Sequence, residues 1–228
     1  MGAVEEHATE ADAAARRRTA WLAAGVIVAF AAALLIWAGR DPDAFAAELG
    51  IGADIPPRGW IVAGLVAAGY TAYTLWAVPQ IRPVVSEISW FRALAIPLAV
   101  GSGLVEEMFF RHILMTSFAH GGLGTVAQVL LSALAFAAVH TIWVVFGRSW
   151  TAALPILLST FALGVLMSLV YLASDRVVLP AVIAHAAINL VIEPGLLLNS
   201  ARQAVARSSS SPPPPPALGD PSPNRGAR

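Results

Sequence analysis

Long apolar runs separated by short polar stretches dominate the chain. Trp21–Ala38, Trp60–Val78, Leu94–Phe118, Thr125–Phe146, Ala152–Ala173 and Val178–Leu198 are each long enough to cross a bilayer as a helix, which takes about 20 apolar residues. In lipid every backbone polar group must be paired within the segment, so such runs fold as helices. The pattern predicts an all-α, polytopic transmembrane helical bundle of about six spans. The connections carry turn formers. RDPDAFAAELGIGADIPPR joins the first two runs, and Ser174-Asp175-Arg176 joins the last two. Residues 79–92, PQIRPVVSEISWFR, read as an interfacial loop or short amphipathic helix, and His120 to Gly124 as a turn. Pro97, Gly101 and Gly103 are placed to bend the third span or to let a neighbouring helix approach closely.

The ends differ from the middle. Residues 1–18 are polar and finish in Arg16, Arg17 and Arg18. Arginines before an apolar run also suit a signal peptide, but this run exceeds a usual h-region and further spans follow, so a retained helix is expected. From Ser200 onward the chain is rich in Ser, Pro and Arg, with SSSSPPPPP at its centre. Such a segment has too little apolar surface to offset ordering entropy, so residues 200–228 read as a disordered tail. The division expected is therefore 1–18 polar, 19–91 two spans without motifs, 92–199 a core carrying the unusual polar residues, and 200–228 tail. An even number of spans puts both termini on one side. Arg16–Arg18, Arg82, Arg92, Arg148, Arg202 and Arg207 fall on that side, against Arg40, Arg58 and Arg176 opposite. The bias predicts cytoplasmic termini in a multi-pass protein of the plasma membrane.

Composition agrees with a lipid solvent. The chain is 57% hydrophobic and 12% charged, about half the charged share of soluble domains. The net charge of +0 gives no reason to expect nucleic acid as a partner. There is no cysteine, which excludes disulfides, thiolate metal sites and a cysteine nucleophile. Oligomeric state leaves no mark in the sequence.

Against that background three polar clusters stand inside the spans, where charge is expensive. Glu106, Glu107 and Arg111 lie in the third span, His140 in the fourth, and His185 with Asn189 in the sixth. Glu107 and Arg111 are four apart, with Glu on the N-terminal side, the better order for an ion pair. Glu106 is turned about 100° away and has Phe110 one turn on, so one carboxylate is neutralised while the other stays available. His185 and Asn189 share a face, and Phe136, one turn before His140, can wall a cavity. A lone histidine or asparagine in a membrane helix is often a plain interhelical hydrogen bond. His112 and His120, near a helix end, suit the interface. A free carboxylate, two histidines and an asparagine on three separate helices instead suggest a water-containing site.

The chemistry fits a hydrolase. A shielded carboxylate can act as general base toward water, an imidazole can assist, and a second imidazole with a carboxamide can stabilise an oxyanion. A glutamate with two histidines is also a possible zinc set, in which Glu106, His140 and His185 would be the ligands. Metal-bound and carboxylate-activated water are not distinguished by the sequence. A non-catalytic immunity factor or scaffold binding a peptide in the same cavity is the alternative from another class. A transporter with a Glu/His proton relay is a third, disfavoured by the lack of repeated halves.

EEMFFR, FAAVH and HAAIN match, in order, the EExxxR, FxxxH and HxxxN motifs, and over about Arg92 to Asn199 the chain resembles the CPBP family. This is the CAAX-protease and bacteriocin-processing (ABI) group of intramembrane proteases, which includes the type 2 CAAX prenyl proteases and is often labelled metalloprotease. The resemblance implies that Glu106 activates the attacking water together with His140, and that His185 and Asn189 form the oxyanion site. It implies that Arg111 holds Glu107 and that Phe136 is a packing residue. The implied activity is hydrolysis of a peptide bond in a peptide or membrane-protein substrate at the bilayer. The chain has fewer spans than eukaryotic prenyl proteases, which leaves the CAAX substrate open.

Overall fold

The computed structural model describes residues 2–87, 93–147 and 153–209, and among them it is helical throughout with no strand. In chain order the elements are α1 (Gly2–Arg40), α2 (Pro42–Leu49), α3 (Pro57–Ala77), a 3₁₀ turn (Pro79–Ile81), α4 (Arg82–Val85), α5 (Ala95–Glu107), a π segment (Met108–Met115), α6 (Thr116–His120), α7 (Thr125–Gly147), α8 (Ala153–Ala173) and α9 (Leu179–Ser209).

Four of these contain stretches long and apolar enough to cross a membrane: Ala13–Arg40, Pro57–Ala77, Ala153–Ala173 and Leu179–Asn199. The other two expected spans are helical as well. α7 is an apolar helix of 23 residues. The third span runs from α5 through the π segment into α6, its α-helical course broken at Met108. Bilayer solvent is visible in what faces outward. Trp21, Leu35, Leu65, Trp76 and Val126 are exposed, whereas Glu107, Arg111, Ser132 and His185 are buried. That inverts the arrangement of a water-soluble domain.

The bundle core joins α3, α8 and α9 around Phe110 and Phe136, with Met167 and Ile188 fully buried among them. Two close approaches set its geometry. A Cβ on Gly103 would stand 2.9 Å from the backbone N of Ala186, so α5 lies almost backbone to backbone on α9. A Cβ on Gly164 would stand 2.9 Å from Cα of Ala133, which seats α8 on α7 in the same way. Small residues at such crossings are the usual means by which membrane helices pack.

The connections sort by end of the bundle. At one end Ala15 of α1, Val84 of α4 and Leu198 of α9 form a buried cluster, and Arg16 pairs with Glu87 at 2.8 Å. At the other, Arg58 pairs with Asp175 and donates to the Ala173 carbonyl. The Asp175-Arg176 turn uses the left-handed region twice, with φ of 52° and 66°. Both terminal segments thus reach the same end, as an even number of crossings requires. Two sequence boundaries move. The polar segment before Trp21 is continuous with α1, and α9 extends to Ser209, past the expected start of the tail. ARQAVAR is made of good helix formers, so nothing in it stops the last helix. The rest of the SSSSPPPPP stretch, beyond Ser209, lies outside the described residues, as does most of the segment around Trp90.

Candidate active site

The site begins where the third span changes its winding. The π segment starts immediately after Glu107 and carries Arg111, and π turns inside α-helices are frequent at functional sites. Buried Ser132 of α7 donates to the Phe110 carbonyl at 2.8 Å, which ties the widened turn to the neighbouring helix.

Glu107 and Arg111 are both fully buried and pair at 3.1 Å. Arg111 also donates to the Gly164 carbonyl at 3.1 Å, and its guanidinium lies 4.8 Å from the centre of the Phe136 ring. The cation is thus held by a carboxylate, a carbonyl and an aromatic face. The other oxygen of Glu107 takes a 2.7 Å contact from Nδ1 of His185. Glu107 therefore bridges arginine and histidine. A carboxylate facing Nδ1 fixes a proton there.

Glu106 points elsewhere, as the 100° offset requires. Its Oε2 is buried and has no hydrogen-bond partner. Nε2 of His140 stands 3.9 Å from that atom and Nε2 of His185 3.8 Å from it. His140 contacts the Phe136 carbonyl through Nδ1 at 2.8 Å, so its Nε2 is the free nitrogen turned to Glu106. Phe136 packs against both imidazoles, with ring centres 4.4 Å from His140 and 5.8 Å from His185. The side chains of Glu106 and His140 retain 19% exposure, so the cluster is reachable from outside the protein.

Asn189 follows one turn after His185 on α9. Its Nδ2 donates to Ser102 at 2.9 Å, and the Ser102 hydroxyl donates to the Ala99 carbonyl at 3.3 Å. Ser102 is one turn before Glu106, so the asparagine is anchored beside the carboxylate. Glu106, Glu107, Arg111, Phe136, His140, His185 and Asn189 thus gather at one place among α5, the π segment, α7 and α9. His120 stays apart, exposed at the end of α6.

The three residues of the possible zinc set stand slightly wider apart than zinc donors do. Donors around a tetrahedral zinc with bonds of about 2.1 Å stand about 3.4 Å apart, whereas both imidazole nitrogens are farther than that from Glu106. Among the described residues no group of three or more His, Asp and Glu is disposed to hold a metal ion.

Sequence reasoning missed Ser102, Ser132, Gly164 and Glu193. Ser102 and Glu193 did leave a signal: each stands four residues from a motif residue, on the side away from the motif's centre. Gly164 acts through its carbonyl, which no residue type reveals.

Residues 88–191 match the family model of the Rce1-like type II CAAX prenyl endopeptidases. Over this segment the chain is similar to the CAAX-type intramembrane endopeptidases. The match covers a little under half of the chain and includes all three motifs. No curated protein and no solved structure is significantly similar. With its four long apolar helices, the protein has the make-up of an integral membrane protein.

Proposed function

We propose that the protein hydrolyses a peptide bond at the membrane by attack of a water activated by Glu106 and His140. The observation that carries this reading is the approach of two imidazole Nε2 atoms to one unpartnered oxygen of Glu106. Separations near 3.8 Å are too long for direct hydrogen bonds and suit a water held between the groups. Glu106 takes a proton from that water as its oxygen attacks the scissile carbonyl, and returns it to the nitrogen of the leaving amine. His140, with Nδ1 tied to the Phe136 carbonyl, offers its free Nε2 to the same water.

The carbonyl oxygen becomes an oxyanion as the water adds. Nε2–H of His185 and the second Nδ2 hydrogen of Asn189 are its donors. For His185 to donate from Nε2 while Nδ1 faces Glu107, it must carry both protons, and Glu107 is the counter-ion of that form. Arg111 in turn keeps Glu107 from being an unpaired buried charge. The similarity to prenyl endopeptidases favours a lipid-modified or membrane-embedded peptide as substrate. The arginine bias places the termini, and the end of the bundle they share, on the cytoplasmic side of the plasma membrane.

Glu106→Ala and His185→Ala variants test the reading. Each should insert normally, and each should lower cleavage by at least about a hundredfold, the scale of a lost general base or oxyanion donor. Cleavage retained in either inserted variant removes the mechanism.

A further inference from the structure

We propose that Glu193 is the specificity residue of this site and that its carboxylate pairs with a basic side chain of the substrate next to the scissile bond. The inference rests on the protease reading above and deepens it by naming a feature of the substrate. Glu193 lies outside the matched segment.

Glu193 continues the polar row of α9. His185, Asn189 and Glu193 are spaced four apart, so each is about 6 Å further along the helix than the last. The row runs from the oxyanion residues toward the end of the bundle where α1, α4 and α9 meet. Glu193 is close enough to feel the charges of Glu106 and His185. Its Oε2 is buried and has no hydrogen-bond partner, while the residue as a whole remains partly exposed.

Two carboxyl groups of the site, Glu106 and Glu193, each keep a buried oxygen without a hydrogen-bond partner, whereas Glu107 is shared between Arg111 and His185. Arg111 is occupied by Glu107 and the Gly164 carbonyl. Among the described residues no arginine pairs with Glu193. A carboxylate withdrawn from water beside another carboxylate is costly, and an intramembrane ionisable group of this kind calls for an opposite charge. A substrate can supply it. Glu193 is six residues before Asn199, where the apolar part of α9 ends, which puts it roughly 9 Å from that end. A lysine or arginine at the interface spans such a depth by extending its aliphatic stem. Membrane proteins concentrate those residues next to their spans on the cytoplasmic side. A membrane-anchored chain entering from the end where the termini lie would therefore bring a cation to Glu193 as its neighbouring peptide bond reaches Asn189.

The test uses the purified full-length protein in lipid vesicles. The probes are lipid-anchored peptides of randomised sequence with one residue near the anchor fixed as Lys, Ala or Glu, and the products are read by mass spectrometry. The wild type should cleave the Lys series with a kcat/KM at least about tenfold above the Ala series, chiefly through KM. Glu193→Gln, close in size, should erase that preference while still cleaving the Ala series, and Glu193→Arg should turn it toward the Glu series. A purely structural role for Glu193 would lower all three series alike. Equal use of the Lys and Glu series by the wild type, or an unchanged preference in Glu193→Gln, overturns the proposal and leaves the protease reading standing. If Glu106→Gln cleaves every series as fast as the wild type, or if the wild type cleaves none, the protease reading fails and this inference with it.

Discussion

Ser102 shows how much of the site depends on residues outside the motifs. Asn189 has two Nδ2 hydrogens, and one of them is fixed by Ser102 at 2.9 Å. That bond decides where the other hydrogen points. Removing the hydroxyl in Ser102→Ala frees the amide to rotate, so a donor aimed at the oxyanion becomes a donor with several orientations. The expected result is a fall in kcat of roughly tenfold with KM little changed, because the oxyanion exists only after attack. A steady-state comparison of the two parameters checks this; an equal rise in KM would mean that Ser102 only holds the helix in place. The motif residues were legible because ionisable groups are rare in lipid and their spacing is that of a helix face. Ser102 left only its spacing, one turn before Glu106, and that signal is weak because a serine beside glycines in a membrane helix is ordinary packing material. Glu193 stood in the same row as His185 and Asn189 and inside the expected sixth span, which α9 follows through Pro194, but it lies one turn beyond HAAIN, where no motif drew attention to it.

At the level of elements, contact between α5 and α9 brings Glu106 and Glu107 to His185. Gly103 makes that contact possible, since any side chain there would meet Ala186 and the Val182 carbonyl. Gly103→Val should force the helices apart, lengthen the 2.7 Å contact between Glu107 and His185, and abolish activity in protein that still reaches the membrane. Thermal unfolding in detergent should fall together with activity, by about 1–3 kcal/mol for an overpacked contact. Unchanged activity would show that α5 does not set the position of the carboxylates. Pro97, Gly101 and Gly103 marked this helix in the sequence as one that bends or packs closely, and close packing is the role Gly103 has. The π segment left no such mark. MFFRHILM contains no residue that favours a wide turn, and the widening is held from outside, by Ser132 on α7. A tertiary bond of that kind is invisible to a reading of local pattern.

For the whole molecule, hydropathy alone gave an all-helical bundle and the order of its long helices, because lipid tolerates few alternatives to a closed helix; the short helices Pro42–Leu49 and Arg82–Val85 and the break at Met108 were not in it. It gave less at the margins. Where water replaces lipid, helix ends follow propensity and capping, so the first and last helices extend beyond their apolar stretches. The pieces combine into a bundle whose outward surface is apolar and whose charges turn inward around Glu106. The central claim is that this interior, with Glu106 as its base, adds water to a peptide bond. Terminal-fragment mass spectrometry of membranes incubated in oxygen-labelled water, with wild type or Glu106→Gln, tests that claim most directly. New carboxyl termini carrying the label should form with the wild type and be absent with Glu106→Gln; the same labelled termini in both membranes would contradict it.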